Sequence, residues 1–134
     1  MPSYLLDTHI YIWWRMGSGQ LTHEQSKALD YADSTGEAVA LSAISIWEIA
    51  MLASRGRLEI NQIPTHVLLK QIQSDPGVEI LPLDADVCAE SVNLPTGFHR
   101  DPADQIIVAT ARVHGLRLLT ADERIINWGK VMLI

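Results

Sequence analysis

Four short apolar runs, SYLL (3–6), EAVALS (37–42), VEILPL (78–83) and LRLLT (116–120), are separated by segments of helical character. Strands interleaved with helices cannot be joined by tight hairpins, so the alternation predicts an α/β fold: a mostly parallel sheet with helices on both faces, three layers in all. In such a sheet each strand's carboxyl end runs into a loop or a helix N-terminus, and ligands bind along that edge. Helices are predicted over LTHEQSKALDYA (21–32), where Thr22 and Gln25 form a capping box, from Ser45 to Arg55 before Gly56, over PTHVLLKQIQ (64–73) and over DADVCAESVN (84–93). GSGQ (17–20), DSTGE (33–37) and LPTGFHRDP (94–102) read as loops, and VMLI (131–134) as an edge strand. No repeat or long linker divides the chain, and residues 1–134 read as one domain.

One helix stands apart. In HRDPADQIIVATARVHG (99–115), Asp101 reads as the N-cap, Pro102 as the first helical residue and Gly115 as the residue after the last turn. Ile106, Ile107, Val108, Ala109, Ala111 and Val113 leave little polar surface between, and a helix apolar nearly all round is buried. Its first turn then opens toward the interior or a cleft. Asp104 in that turn is served by the helix dipole, yet a carboxylate so placed also needs a partner.

Apolar residues make up 48% of the chain and charged residues 19%, which is too hydrophobic for disorder. No apolar run approaches the roughly 20 residues of a membrane span. The N-terminal MPSYLLDTH lacks the basic start of a secretory leader, so a cytoplasmic protein is expected. Cys88, the one cysteine, has no internal partner and reads as a small buried apolar group. A net charge of -6 argues against coating nucleic acid by bulk electrostatics. It does not exclude a nuclease, because carboxylates gathered around cations present a different charge to phosphate than the bare count suggests. Arg55, Arg57, Arg100, Arg112, Arg117 and Arg124 can supply a local basic rim or a solvated surface.

Four acids fall at the sheet's carboxyl edge. Asp7 directly follows the first strand, Glu48 lies early in the helix after the second, Asp104 lies in the first turn of the buried helix and Asp122 stands two residues beyond the fourth strand. Each has a plain alternative: Asp7 capping a helix after DTH, Glu48 closing a capping box with Ser45, Asp122 forming a turn in TADE. Together they predict an acidic pocket of the kind that holds a hard divalent ion, and phosphodiester hydrolysis is its natural chemistry. Thr8, Ser42, Ser45 and Thr120 can orient a carboxylate or simply cap helices. His9, His99 and His114 show no metal-ligand spacing; His99 and Arg100 read as substrate contacts and His114 as a charge at a helix C-terminus. Trp13 and Trp14 fit an interface or ordinary core packing.

The motifs LLDTH, LSAISIWEIAML, HRDPADQIIVATA and LLTADERI resemble, in order and spacing, the four acidic motifs of PIN domains, specifically the VapC-type toxins of bacterial toxin–antitoxin pairs. The resemblance runs from Leu5 to about Ile126. It implies a small α/β/α ribonuclease acting on RNA such as transfer or ribosomal RNA, which binds Mg²⁺ or Mn²⁺ through Asp7, Glu48, Asp104 and Asp122. Asp101 belongs to the D-P-x-D form of the third motif, as the cap or as a support behind Asp104. Ala103 and Gln105 stand where many relatives carry an aromatic residue and an arginine, so substrate contacts there differ. The resemblance further implies a homodimer silenced by a VapB-like antitoxin, with Trp13, Trp14 and the Arg55/Arg57 region as candidate contacts.

Two other classes remain at this stage. A phosphotransfer or phosphatase domain using Asp7 as nucleophile wants a second aspartate two residues on, where His9 stands, and a lysine near the site, whereas Lys27, Lys70 and Lys130 lie outside the motifs. A non-catalytic binding module of the same fold has no need of the complete acid set.

Overall fold

The computed structural model describes residues 2–17, 19–56 and 63–134. In chain order the elements are β1 (Tyr4–Leu6), α1 (Thr8–Met16), α2 (His23–Thr35), β2 (Val39–Ser42), α3 (Ala43–Ser54), α4 (Thr65–Gln73), β3 (Val78–Leu81), α5 (Ala85–Ser91), α6 (Pro102–His114), β4 (Arg117–Leu119) and α7 (Glu123–Trp128). The four strands form one sheet in the order β3-β2-β1-β4, and every pair is parallel. Leu5 lies opposite Ala40 on one side and Leu118 on the other, so β1, at the centre, is flanked by β2 and by the last strand of the sheet.

Alternation along the strands sorts the core into two halves. Leu6, Leu41 and Leu119 face Ile10, Leu29, Ile49, Leu68 and Ile72 on one side of the sheet. Leu5, Ala40 and Leu118 face Ile107, Val108, Ala111 and Ile125 on the other. Each Leu or Ile fully withdrawn from water contributes roughly 1.5–3 kcal/mol of transfer free energy. The two layers of helix are thus fixed on the sheet by strands buried on both faces, as parallel sheets require.

Helix α6 is the buried helix anticipated: Ala103, Asp104, Ile107, Val108, Ala109, Thr110 and Ala111 are all buried, and it ends at Gly115 with φ 65°. The capping box of Thr22 and Gln25 is present at the start of α2. Other expectations need correction. Helix α2 runs through the predicted loop as far as Thr35, because the stop signal is Gly36 in the left-handed region. Helix α3 begins at Ala43 with Ser42 as its cap, two residues before the predicted start. The terminal VMLI adds no strand; Leu133 makes an isolated bridge to Leu118. Cys88 is exposed rather than buried, since α5 turns Val87 inward and leaves its neighbours outside. Among the described residues no helix is long and apolar enough to cross a membrane.

Candidate active site

Parallel pairing brings the carboxyl ends of β1, β2 and β4 side by side, and each end passes at once into a helix cap. Asp7 is the N-cap of α1, Ser42 of α3 and Asp122 of α7, while Asp101 caps α6. The plain capping reading is therefore correct for Asp7 and Asp101, and Asp122, read as a turn residue in TADE, is a cap as well; capping does not compete with a site, because the caps hold these carboxylates at the sheet edge. For Glu48 it fails. Ser42 caps α3, so Glu48 falls in the second turn, and its carboxylate reaches across to α1.

Asp7, Glu48, Asp101, Asp104 and Asp122 line one cleft of about 310 Å³ together with His9, Trp13, Ala121 and Arg124. On its inner side Asp7 is buried and fixed from every direction. Its backbone N–H donates to the Leu119 carbonyl at 2.9 Å. Its Oδ1 accepts from the Thr8 N–H at 2.8 Å and its Oδ2 from the Thr120 hydroxyl at 2.7 Å. Thr120 in turn accepts from the Asp122 N–H at 3.0 Å, so one hydroxyl ties two of the acids together. The buried Gln25 side chain, already engaged in the α2 capping box, donates to the Thr120 carbonyl at 3.0 Å. Thr8 donates its single hydroxyl hydrogen to Glu48 Oε1 at 2.5 Å, which leaves Ser45 to donate to Thr8 at 2.8 Å. Thr8, Ser45 and Thr120 thus orient carboxylates, whereas Ser42 serves as a cap, accepting from the Ile44 N–H.

The outer side of the cleft is built differently. His99 Nε2 lies 2.7 Å from Asp104 Oδ2. The Gln105 side chain donates to the His99 carbonyl, and the imidazole stacks on Phe98 at 4.4 Å between ring centroids. Arg124 Nη2 donates to Asp122 Oδ2 at 2.9 Å and to Asp104 Oδ2 at 3.3 Å, while its Nε lies 3.2 Å from Asp122 Oδ1.

Burial and mutual repulsion set the charge state. Desolvation raises the pKa of Asp7, against the Thr120 hydrogen bond and with the Asp104 charge. Glu48 is raised by desolvation and by the charges of Asp7, Asp104 and Asp101, against the bond from Thr8. Asp104 is raised chiefly by desolvation in spite of His99. Asp122, held by Arg124, is lowered. Three carboxyl groups that resist ionisation in one cleft are groups short of positive charge. The donor set fits a divalent cation: donor atoms of Asp104, Asp122 and His99 lie within 4.8 Å of one another, and the remaining acids share the same space.

A family model described as PIN domain matches residues 4–131. The chain belongs to the PIN-domain family. Among relatives of this PIN domain, Ribonuclease VapC22 of Mycobacterium tuberculosis (strain ATCC 25618 / H37Rv) is 38% identical over 125 residues, which cover 93% of this chain and 91% of that one. The crystal structure of FitAcB from Neisseria gonorrhoeae matches with a TM-score of 0.70 at 26% identity, over 98% of this chain and 96% of that chain. A toxin–antitoxin complex from Klebsiella pneumoniae matches with a TM-score of 0.64 at 26% identity, again over 98% and 96%.

All four acids predicted for this PIN domain meet in the cleft, and His99 reaches it as a partner of Asp104. Arg100 does not; it lines a separate cavity with Phe98 and Gln105. Nor do the described arginines form a rim. Arg112 pairs with Glu90, Arg117 sits at the opposite end of β4, Arg55 caps the end of α3, and Arg57 lies outside the described residues. Among the described residues of the predicted set, only Arg124 lines the cleft. His114 stands in the last turn of α6 with its Nε2 buried and without a hydrogen-bond partner among the described residues. Trp14 packs against Tyr11 and under the Arg15 guanidinium, while Trp13 forms a wall of the cleft beside His9. Sequence reasoning weighed His9 only for metal-ligand spacing and gave it no place in the cleft, although its position four residues before Trp13 on one helix face was available as a signal.

Proposed function

We propose that the chain is a metal-dependent endoribonuclease that hydrolyses RNA phosphodiester bonds as the toxin of a type II toxin–antitoxin pair. The convergence of Asp7, Glu48, Asp104 and Asp122 on one cleft of a PIN domain carries this reading. The relatives point the same way, one being a ribonuclease by name and another a toxin–antitoxin complex. The four acids would hold Mg²⁺ or Mn²⁺, which would polarise the scissile phosphate and lower the pKa of the attacking water. Around that ion the protein supplies rigidity: Thr8 and Thr120 fix the inner carboxylates, and the cap of α6 aims Asp104. An Asp7 nucleophile is disfavoured, since the residue two positions on is His9 and no described lysine lines the cleft.

We further read residues 1–134 as one cytoplasmic domain that forms a homodimer and is held by a VapB-like antitoxin, with transfer or ribosomal RNA as substrate. The apolar α3, which buries only Ser45 and Ile49 and leaves Trp47 exposed, supports such a partner, alongside Trp13, Trp14 and Arg55. The test is incubation of the purified, partner-free protein with total RNA in Mg²⁺ or Mn²⁺, beside a chelator lane and Asp7→Asn. Discrete fragments that vanish in both controls are expected. Cleavage that survives the chelator, or a protein that neither cuts RNA nor binds a divalent ion, would overturn the reading.

A further inference from the structure

Arg124 is the one arginine or lysine among the described residues lining the cleft, and it is already spent on the acids. Its Nη2 bridges Asp122 Oδ2 and Asp104 Oδ2, and its Nε completes a fork on Asp122. Asp104 and Asp122 are also two of the three residues whose donor atoms cluster closely enough to share an ion. A guanidinium and a divalent cation drawn to the same carboxylate oxygens repel each other, so each weakens the other's hold on them.

Two features make the guanidinium the group that yields. The Arg124 side chain is 60% exposed, so its ion pairs are screened by water and weak. Its backbone N–H bond to Asp122 Oδ1 at 2.9 Å belongs to the helix cap and does not depend on where the guanidinium lies. When the side chain lets go, it stays tethered to the first turn of α7, within its own length of Asp104 and Asp122. Arg112 offers the contrast: bonded to both Glu90 and the Lys130 carbonyl, it is locked far from the acids.

We propose, resting on the nuclease reading above, that Arg124 is a displaceable counterion: it neutralises Asp104 and Asp122 until a divalent ion enters, and then turns its fork onto the substrate phosphate beside them. A guanidinium matches a phosphodiester as well as a carboxylate, presenting two parallel N–H donors to two oxygens. The exchange leaves no buried charge unpaired, because the ion replaces Arg124 at the acids and the phosphate replaces the acids at Arg124.

The two duties give opposite signs on removal of one side chain. Mn²⁺ binding is measured by calorimetry, and affinity for a fluorescein-labelled single-stranded DNA of mixed sequence by anisotropy in Mn²⁺. Arg124→Gln is expected to bind Mn²⁺ about two- to fivefold more tightly, the worth of an exposed ion pair. It is expected to bind the DNA about tenfold more weakly, as for a lost charge-assisted hydrogen bond. Arg124→Lys, which keeps the charge without the fork, falls between on both scales. Arg117→Gln, an equal loss of charge at the far end of β4, leaves both affinities unchanged; thermal melting confirms that each variant is folded. Unchanged or weaker Mn²⁺ binding by Arg124→Gln overturns the counterion role, and unchanged DNA binding overturns the phosphate role. Wild-type protein that binds no Mn²⁺ overturns the nuclease reading itself.

Discussion

Asp7 and Glu48 on the inner side of the cleft are held by hydroxyl and amide groups, whereas Asp104 and Asp122 on the outer side meet an imidazole and a guanidinium. Hydroxyls fix a carboxylate in place without cancelling its charge. Asp7 and Glu48 accordingly resist ionisation, while Asp122 beside Arg124 ionises more easily than usual. Asp104 is intermediate in kind: it meets both the imidazole of His99 and the guanidinium of Arg124, yet its burial wins. One side of the cleft is thus rigid and short of positive charge, and the other is adjustable and supplied with it.

Substitution of the acids tests that contrast most strongly. Asp7→Asn and Asp122→Asn are each expected to lower RNA cleavage by more than about 100-fold, beyond the range typical for groups that merely orient a ligand. Their effects on the metal-free protein should part company at neutral pH. Asp7→Asn removes a buried charge that opposes folding and raises the melting temperature, while Asp122→Asn loses its pairing with Arg124 and lowers it slightly. A melting temperature that moves the same way in both variants would break the comparison.

Thr120→Val comes next. Its hydroxyl serves Asp7 and the Asp122 backbone at once, so its loss disturbs both sides and is expected to cost about 10- to 100-fold in activity or metal affinity. An activity near wild type would mean that Asp7 is held well enough by Thr8 and the backbone alone.

The smallest effect lies in the pH dependence of stability in chelator. Asp7, Glu48 and Asp104 have raised folded pKa values, so the folded state binds more protons than the unfolded chain across the interval between the usual carboxylate range and those raised values. Their contribution is fully present below the usual range and is lost as pH rises through that interval. Asp122 is opposite in sign, contributing above the usual range and less as pH falls through its lowered value. Denaturant titrations should therefore show metal-free stability declining from mildly acidic to neutral pH, and saturating Mg²⁺ should remove most of the decline. A flat profile without metal would refute the charge deficit.

Much of this was legible in the sequence because caps and strand ends leave local marks. D-P-x-D announces both a helix start and a carboxylate in its first turn, and a run such as SYLL followed by Asp7 places an acid at a strand end without knowledge of the rest. What escaped were short elements and side-chain directions. Helix α7, six residues long, is absent from the sequence reading, and α5, read as a helix over 84–93, has only seven residues, too few for periodicity to tell that Cys88 faces out. The pairing of Arg124 with Asp122 spans two residues, which no helical spacing rule favours; it occurs because Asp122 is a cap with extended backbone. His99 reaches Asp104 across a proline turn, where regular spacing says nothing.

The pairing of β1 with β4 carries a consequence for when the cleft comes into being. Asp7 leaves a ribosome well before Thr120, which holds its carboxylate from 113 positions further along the chain, and before Leu119, which holds its backbone. Helices α2 to α6 can begin to pack beforehand, but β1 lacks one neighbour until β4 arrives, and contacts so distant along the chain form late. A growing chain therefore carries its acids unassembled until β4 has emerged to pair with β1.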